Sequence, residues 1–150
     1  MVHNKLTVPK YDWAVAPFPK VYYPMYANEA ENAQEVGHVL DVVREVIKEH
    51  RSKSPIAAMV VEPITFMGNH FASPEFYQSL SEICTSEGIA LIVDESRTGV
   101  GITGSFWGHD HWYLDSPPDF VVFGNASQVN GYYSTTDYQP ARPNSLDNIG

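Results

Sequence analysis

Apolar residues recur at every third or fourth position from Glu29 to His50, with charged residues between them, which predicts a long amphipathic helix. The apolar stripe consists of Val36, Val39, Leu40, Val43, Val46 and Ile47. Ser54-Pro55 follows, and proline cannot continue a helix because it lacks the backbone N–H and its ring clashes with the preceding turn. We therefore expect the helix to end before this dipeptide.

Three short apolar runs predict buried strands, because they are rich in β-branched residues and are bounded by proline, glycine or acidic residues. The runs are residues 56–61, 89–93 and 119–123. A second helical pattern separates the first two runs. It begins at Ser73-Pro74, with a hydroxyl cap and a proline in the first turn, and ends at Gly88. Its apolar face consists of Phe76, Tyr77, Leu80, Ile83 and Cys84.

Strands that alternate with helices in this way predict right-handed crossovers and a parallel sheet. The runs end at Glu62, at Asp94-Glu95 and at Gly124-Asn125-Ala126. Ligands of such sheets bind beyond the carboxyl ends of the strands. We therefore expect these three ends to lie close together and to form the candidate site. After Gly124 the apolar pattern dissolves into Asn, Ser, Gln and Thr, so no further strand is predicted.

The pattern divides the chain into three parts. Residues 1–28 combine four prolines with six aromatic residues, which excludes a helix or a central strand and predicts an extended segment laid over another surface. Residues 29–138 form the α/β unit, and residues 139–150 form an irregular tail. At 150 residues the chain is long enough for one domain with a real core.

Composition narrows the function classes. The net charge is −9 and no stripe of Lys or Arg is present, so nucleic acid and anionic membrane are disfavoured as partners. A single cysteine, Cys84, lies in the second helical pattern, and we interpret it as a core residue. No apolar run is long enough to span a bilayer, and residues 1–20 lack a secretion or import signal, which favours an intracellular protein.

Several stretches between residues 8 and 138 resemble the class III pyridoxal-phosphate aminotransferases, and in particular the 4-aminobutyrate aminotransferase branch. These are Phe18-Pro19, Val61-Glu62-Pro63-Ile64, Ala72-Ser73-Pro74-Glu75-Phe76, Val93-Asp94-Glu95, Thr98-Gly99-Val100-Gly101, Thr103-Gly104-Ser105-Phe106-Trp107 and His109-Asp110-His111-Trp112. The resemblance implies the middle of the large domain of a type I pyridoxal-phosphate transferase, an α/β fold with a mainly parallel sheet and flanking helices.

The resemblance also implies a cofactor, pyridoxal 5'-phosphate, and four residues beside it. Asp94 matches the aspartate that pairs with the protonated pyridine nitrogen, which makes the ring an electron sink. Glu62 matches a glutamate beside the ring, Ser96 a valine that packs on the ring face, and Arg97 a glutamine that bonds the phenolic oxygen. As alternatives, Asp94 caps the following turn, Glu62 bonds local amides, and Arg97 pairs with a phenolate or with Asp94.

The chain departs from this family where the chemistry requires an amine. The family's Schiff-base lysine falls at Ala126, and members read roughly Phe-Ser-Lys-Lys where this chain reads Phe123-Gly124-Asn125-Ala126. A methyl group cannot form an imine or move a proton. The last lysine of the sequence is Lys53. A glutamate used in substrate selection falls at Met67, and a loop of small residues is altered at Val129-Asn130.

The sequence therefore predicts a truncated, catalytically inactive relative of 4-aminobutyrate aminotransferase with a binding or structural role. The phosphate-binding turn and the substrate arginine of the family match nothing here. The alternatives are a fragment of a transaminase completed by another chain or a missing segment, and an unrelated α/β module that binds a small molecule or phosphate.

Exposed apolar surface predicts self-association or a partner protein. A mitochondrial location follows by family analogy only. We do not interpret His109 and His111 as a metal site, because no third ligand is near.

Overall fold

The computed structural model describes residues 13–139 and contains a four-stranded sheet in the order β1-β2-β3-β4. β1 (Ala58–Val61), β2 (Ala90–Glu95) and β3 (Phe120–Phe123) are parallel, and β4 (Gly131–Ser134) is antiparallel to β3. Two helices, α1 (Glu29–His50) and α2 (Pro74–Glu87), precede β1 and β2. The predicted α/β class with a mainly parallel sheet is confirmed.

Both helices have the predicted extents, and the predicted stripes are buried except for Val36 and Val46 of α1, which are half-buried. Pro74 occupies the first turn of α2, and Gly88 ends that helix with a left-handed φ of 66° that favours glycine. The predicted hydroxyl cap is wrong, since the Ser73 side chain makes no capping hydrogen bond. Neither α1 nor α2 is long and apolar enough to cross a bilayer, and the same holds for every helix within residues 13–139.

The helices pack on one face of the sheet only. Val61, Val93 and Val121 lie side by side across β1, β2 and β3, and all three are buried in the core. The core also contains the apolar faces of α1 and α2 and the ring of Trp112. Because successive side chains point to opposite faces, Ile92 and Asp94 lie on the other face. No described helix covers that second face, which we call the open face.

The prediction that residues 56–61 form a buried strand is wrong in part. β1 begins at Ala58, and only Val61 is buried in it. Val60 lies on the open face and is 53% exposed. β1 is also an edge strand, because its only partner within residues 13–139 is β2. Burial of a parallel strand requires cover on both faces, and β1 has cover on one.

β4 is an element that the sequence analysis missed. It pairs with β3 in antiparallel register, with Tyr133 opposite Val121 and Tyr132 opposite Val122. Tyr132 and Tyr133 are exposed, and the strand has only four residues. A short, half-exposed edge strand carries too little hydrophobic alternation to be found by periodicity.

The segment before α1 forms no long element in its described part. Phe18 packs edge-on against Phe76 of α2, and Pro19 is buried, whereas Trp13 and Tyr26 are exposed. One 3-10 turn, Met25–Ala27, leads into α1. Residues 1–12 of the predicted segment 1–28, and nearly all of the predicted tail 139–150, lie outside the described residues. The predicted boundaries at 28 and 138 stay predictions.

Candidate functional site

The three strand ends meet at one edge of the sheet, as expected for parallel strands. Near the carboxyl ends of the strands, Asp94 of β2 pairs with Val122 of β3, and Val61 of β1 pairs with Val93 of β2. Glu62 and Gly124 therefore continue from neighbouring strands at the same edge. Because Asp94 and Glu95 are adjacent in one strand, their side chains point to opposite faces. The predicted site lies at this edge, with Asp94 on the open face.

Asp94 is half-buried and caps the turn that follows it. Its Oδ1 accepts a hydrogen bond from the backbone N–H of Ser96 at 2.9 Å. This is the alternative that the sequence analysis left open for Asp94. Within residues 13–139 no donor is bonded to the second carboxylate oxygen, which leaves an acceptor of fixed orientation at the strand end.

Glu62 also bonds a local amide. Its Oε2 accepts the backbone N–H of Phe66 at 2.5 Å, which closes the turn after β1. The loop is tied further by Thr65, whose N–H donates to the carbonyl of His70 at 2.8 Å and whose hydroxyl donates to the carbonyl of Met67 at 2.9 Å. The Met67 side chain is exposed. In this structure the Glu62 carboxylate therefore stabilises the backbone of the loop after β1.

Arg97 faces this same loop and not the aspartate. Its guanidinium donates to the carbonyl of Thr65 at 3.4 Å and to Oδ1 of Asn69 at 3.3 Å. It also lies 4.9 Å from the centre of the Phe66 ring, a cation–π geometry. In the described part of the chain Arg97 and Asp94 form no ion pair, so the predicted alternative of an Arg97–Asp94 pair is not observed.

The third strand end carries no ionisable group. Asn125–Ser127 form a 3-10 turn directly after Gly124, and Ala126 is exposed within it. Asn125 and Gln128, on either side, have positive φ values of 43° and 59°. The methyl group of Ala126 therefore stands on a tight and partly strained turn.

Glu95 is a buried residue of this region whose role the sequence analysis missed. It is 1% exposed and points toward the helices. Its Oε1 accepts the backbone N–H and the ring Nδ1–H of His109, each at 2.8 Å, and its Oε2 accepts the hydroxyl of Thr98. Burial raises the pKa of Glu95, but the hydrogen bonds from His109 and Thr98 outweigh it, so the pKa lies below 4.5.

The signal for this cluster was present in the sequence. Alternation along β2 places every second residue in the core, and that count assigns Glu95 to the same face as Val93. A carboxylate on the core face requires donors, and His109 lies fourteen residues downstream. His111 makes a separate bond, with its Nε2 3.0 Å from the carbonyl of Thr103. In the described range no cluster of His, Cys, Asp and Glu could hold a metal ion.

An apolar groove of about 710 Å³ lies away from the strand ends, between the segment before α1, the carboxyl half of α1 and the edge strand β1. Its lining includes Trp13, Phe18, Val43 and Val60 but none of the residues of the candidate site. It has the character of a packing surface, and we do not assign the candidate site to it.

Comparison with known proteins places the whole region in one family. The model of the aminotransferase class-III family matches residues 3–145. The 4-aminobutyrate aminotransferase of Emericella nidulans is 47% identical over 132 residues, which are 87% of this chain and 26% of that protein. The mitochondrial 4-aminobutyrate aminotransferase of Mus musculus is 37% identical over 148 residues, which are 97% of this chain and 29% of that protein.

The solved structures agree with the fold. The lysine aminotransferase from M. tuberculosis, in the internal aldimine form, superposes with a TM-score of 0.66 at 30% identity, over 84% of this chain and 28% of that one. An omega-transaminase from Thermomicrobium roseum gives a TM-score of 0.62 at 25% identity, over 71% of this chain and 24% of that one. The chain thus spans 24–29% of the length of these proteins. Because the family model matches residues 3–145, the relatives are 37–47% identical and the fold superposes, this chain belongs to the class III aminotransferases.

Proposed function

We propose that this chain is a catalytically inactive relative of 4-aminobutyrate aminotransferase whose α/β core serves a binding or structural role. One observation carries the proposal. The residue at the third strand end, where the family resemblance expects the Schiff-base lysine, is Ala126, and the sequence contains no lysine after Lys53. A covalent intermediate splits one difficult step into two easier steps, and a chain without an amine nucleophile cannot form that intermediate in transamination.

The residues at the strand ends fit the family's cofactor only in part. The family is pyridoxal-phosphate dependent, and Asp94 retains a carboxylate at the place where the resemblance expects the partner of the pyridine nitrogen. Within residues 13–139 no lysine side chain makes a hydrogen bond or an ion pair with it, and the backbone N–H of Lys20 donates to Glu35 of α1. Lys48 and Lys53 lie before the amino end of β1, whereas the candidate site lies beyond its carboxyl end, about 13 Å along the strand. The described residues therefore do not fit a covalently held cofactor, and we derive no reaction step through one.

The test is a measurement of amino transfer. The purified chain is incubated with pyridoxal phosphate, 4-aminobutyrate and a 2-oxo acid acceptor, and the amino acid product is quantified. We expect no product above the rate of the cofactor alone. Turnover by the unmodified chain would overturn the proposal. So would one cofactor per chain that remains after dialysis and is held by a bond that borohydride reduces.

A second function is favoured by the half-buried carboxylate of Asp94 on the open face at the end of β2. In that alternative the chain is part of a transaminase of the 4-aminobutyrate type, and another polypeptide supplies the amine and covers the open face. Split expression separates the two. The remaining segments of a full-length relative are produced as a second polypeptide and mixed with this chain. Turnover in the mixture would favour the alternative, and its absence favours the inactive relative.

We further propose that the chain associates with a second copy of itself through the free edge of β1. The strand carries no charge or proline to discourage pairing, and the same edge on two copies can pair about a two-fold axis. Exposed Val60 would then be covered by its counterpart. Each copy carries a net charge of −9, so salt should strengthen this association by screening the repulsion.

For the compartment we propose a mitochondrial location by analogy alone. The relatives from Mus musculus and Homo sapiens are described as mitochondrial. Fractionation of the source cells with an antibody to this chain tests the analogy, and recovery only in another fraction would contradict it.

A further inference from the structure

Gly124 and Asn130 occupy one small volume at the carboxyl end of β3. A Cβ added at Gly124 would lie 2.5 Å from the Oδ1 of Asn130 and 3.7 Å from the Cβ of Ser96. The backbone of Gly124 is extended, with a φ of −174°, so any residue could adopt it. In this conformation the carboxamide oxygen of Asn130, an exposed residue, occupies the space for a side chain at this strand end.

This arrangement is an exchange relative to the family pattern. The resemblance given above implies a serine at the position of Gly124 and small residues in the loop that contains Asn130. In this chain the side chain is missing from the strand and a longer one is present in the loop. Because the Asn130 oxygen lies within van der Waals overlap of the missing Cβ, the two changes compensate each other in volume.

The position of the carboxamide has a consequence for ligand binding. Side chains alternate along β3, so a side chain at residue 124 points to the same face as Val122, which is the open face and the face of Asp94. Ser96, the other neighbour of that volume, is the position where the resemblance expects packing against the cofactor ring. The Asn130 carboxamide thus lies on the same face as Asp94, next to the residue that the resemblance places against the cofactor ring.

We propose that Asn130 is a specificity-determining residue that excludes a pyridine ring from the space between Ser96 and Gly124. The inference deepens the proposed function, on which it rests, because it identifies a change beyond the missing lysine that closes the site. Removal of the Asn130 side chain opens the space, and Asp94 is then accessible to a protonated ring nitrogen. The excluded ligand class is a phosphorylated pyridinium compound, which the opened space would hold without a covalent bond.

The experiment measures binding of pyridoxamine 5'-phosphate by equilibrium dialysis. This compound has no aldehyde, so surface lysines cannot form imines with it. We expect Asn130→Gly to bind about tenfold tighter than the unmodified chain, a gain of about 1.4 kcal/mol. Gln128→Gly removes an exposed amide from the same turn and is the matched control, with unchanged affinity expected. Asp94→Asn in the Asn130→Gly background should abolish the gain.

Equal affinity of Asn130→Gly and Gln128→Gly, including no detectable binding by either, would overturn the inference. A second measurement tests the contact itself. Gly124→Ser should lower the melting temperature by roughly 2–4 °C, and the Gly124→Ser/Asn130→Gly double variant should recover it. The same loss in both backgrounds would also overturn the inference. Neither result depends on amino transfer by the unmodified chain, so failure of the proposed function is recognised separately.

Discussion

One oxygen of the buried Glu95 carboxylate accepts both the backbone N–H and the ring Nδ1–H of His109, each at 2.8 Å. The two residues belong to the end of β2 and to the 3-10 helix Gly108–Trp112, so the pair closes the long loop between them. An ionised carboxylate can only accept hydrogen bonds, and the shared proton therefore belongs to Nδ1. A Cβ at Gly108 would lie 3.0 Å from Glu95 Oε2 and from the Cβ of Pro63, so a side chain there would require these neighbours to move by a few tenths of an ångström.

Glu95→Gln should lower the free energy of unfolding by about 1–3 kcal/mol, because the amide is a weaker acceptor and its NH2 group faces donors. Urea unfolding measures the change. Asp110→Asn is the matched control, since Asp110 is an exposed carboxylate in the same loop that accepts the N–H of Trp107 at 3.0 Å. We expect less than 1 kcal/mol there, on the order of an exposed hydrogen bond. Equal losses in the two variants would contradict a special role for Glu95.

The stability difference between the unmodified chain and Glu95→Gln should depend on pH. The pKa of Glu95 is lower in the fold than the ordinary value of 4.5. A carboxyl with a depressed pKa contributes stability above its unfolded pKa, and this contribution disappears as pH falls through the folded pKa. The difference should thus be constant above about pH 5.5 and shrink below about pH 4.5. A difference that grows on acidification would contradict this assignment.

Tyr77 supports the loop after β1 from within the core. Its ring stacks on Trp112 at 3.9 Å, and its hydroxyl donates to the carbonyl of Pro63 at 3.0 Å. Burial raises the pKa of Tyr77 to about 12. Tyr77→Phe should retain the stack but leave the carbonyl unpaired, at a cost of about 1–2 kcal/mol in urea unfolding. Tyr113→Phe, at a tyrosine that is 74% exposed, should cost nearly nothing. Equal values would show that the hydroxyl does not contribute.

The fold was predictable where the apolar residues of a segment follow a single helical or strand period. The stripes of α1 and α2, the glycine at the end of α2 and the parallel arrangement of three strands all follow from periodicity and turn residues. β4 was not predictable because the β3–β4 pairing, not the local sequence, defines it. The burial of Val60 was overestimated because a sequence does not show how many faces of a sheet are covered.

The candidate site was predictable at the level of strand ends. Glu62, Asp94 and Ala126 lie at the expected edge because topology alone brings them there. The contacts of Arg97 were not predictable, since they depend on the conformation of the loop after β1. The overlap of Asn130 with the missing side chain of Gly124 was also beyond prediction, because it depends on where a four-residue strand begins.

Val60→Lys should weaken self-association through β1. A lysine on an edge strand discourages pairing because its charge would be buried next to its counterpart. Sedimentation velocity at several concentrations, at low salt and at 0.5 M salt, measures the effect. We expect the unmodified chain to associate more at high salt and Val60→Lys to remain monomeric. Ile102→Lys makes the same charge change at an exposed apolar residue outside the sheet, and it should associate like the unmodified chain. A monomeric unmodified chain at micromolar concentration would contradict the dimer.

Ala126→Lys should fold and yet remain inactive. Ala126 is exposed in its turn, so the longer side chain meets no steric obstacle. The rest of the site is unchanged: Met67 stands where the family uses a glutamate, Arg97 is bonded to the loop after β1, and Asn130 fills the space beside Ser96. Circular dichroism should match the unmodified chain, and 4-aminobutyrate-dependent turnover should stay at the rate of the cofactor alone. Turnover in this single variant would show that the site is intact apart from its amine. The proposal that the rest of the site cannot support catalysis would then have to be abandoned, and so would the exclusion of the ring by Asn130.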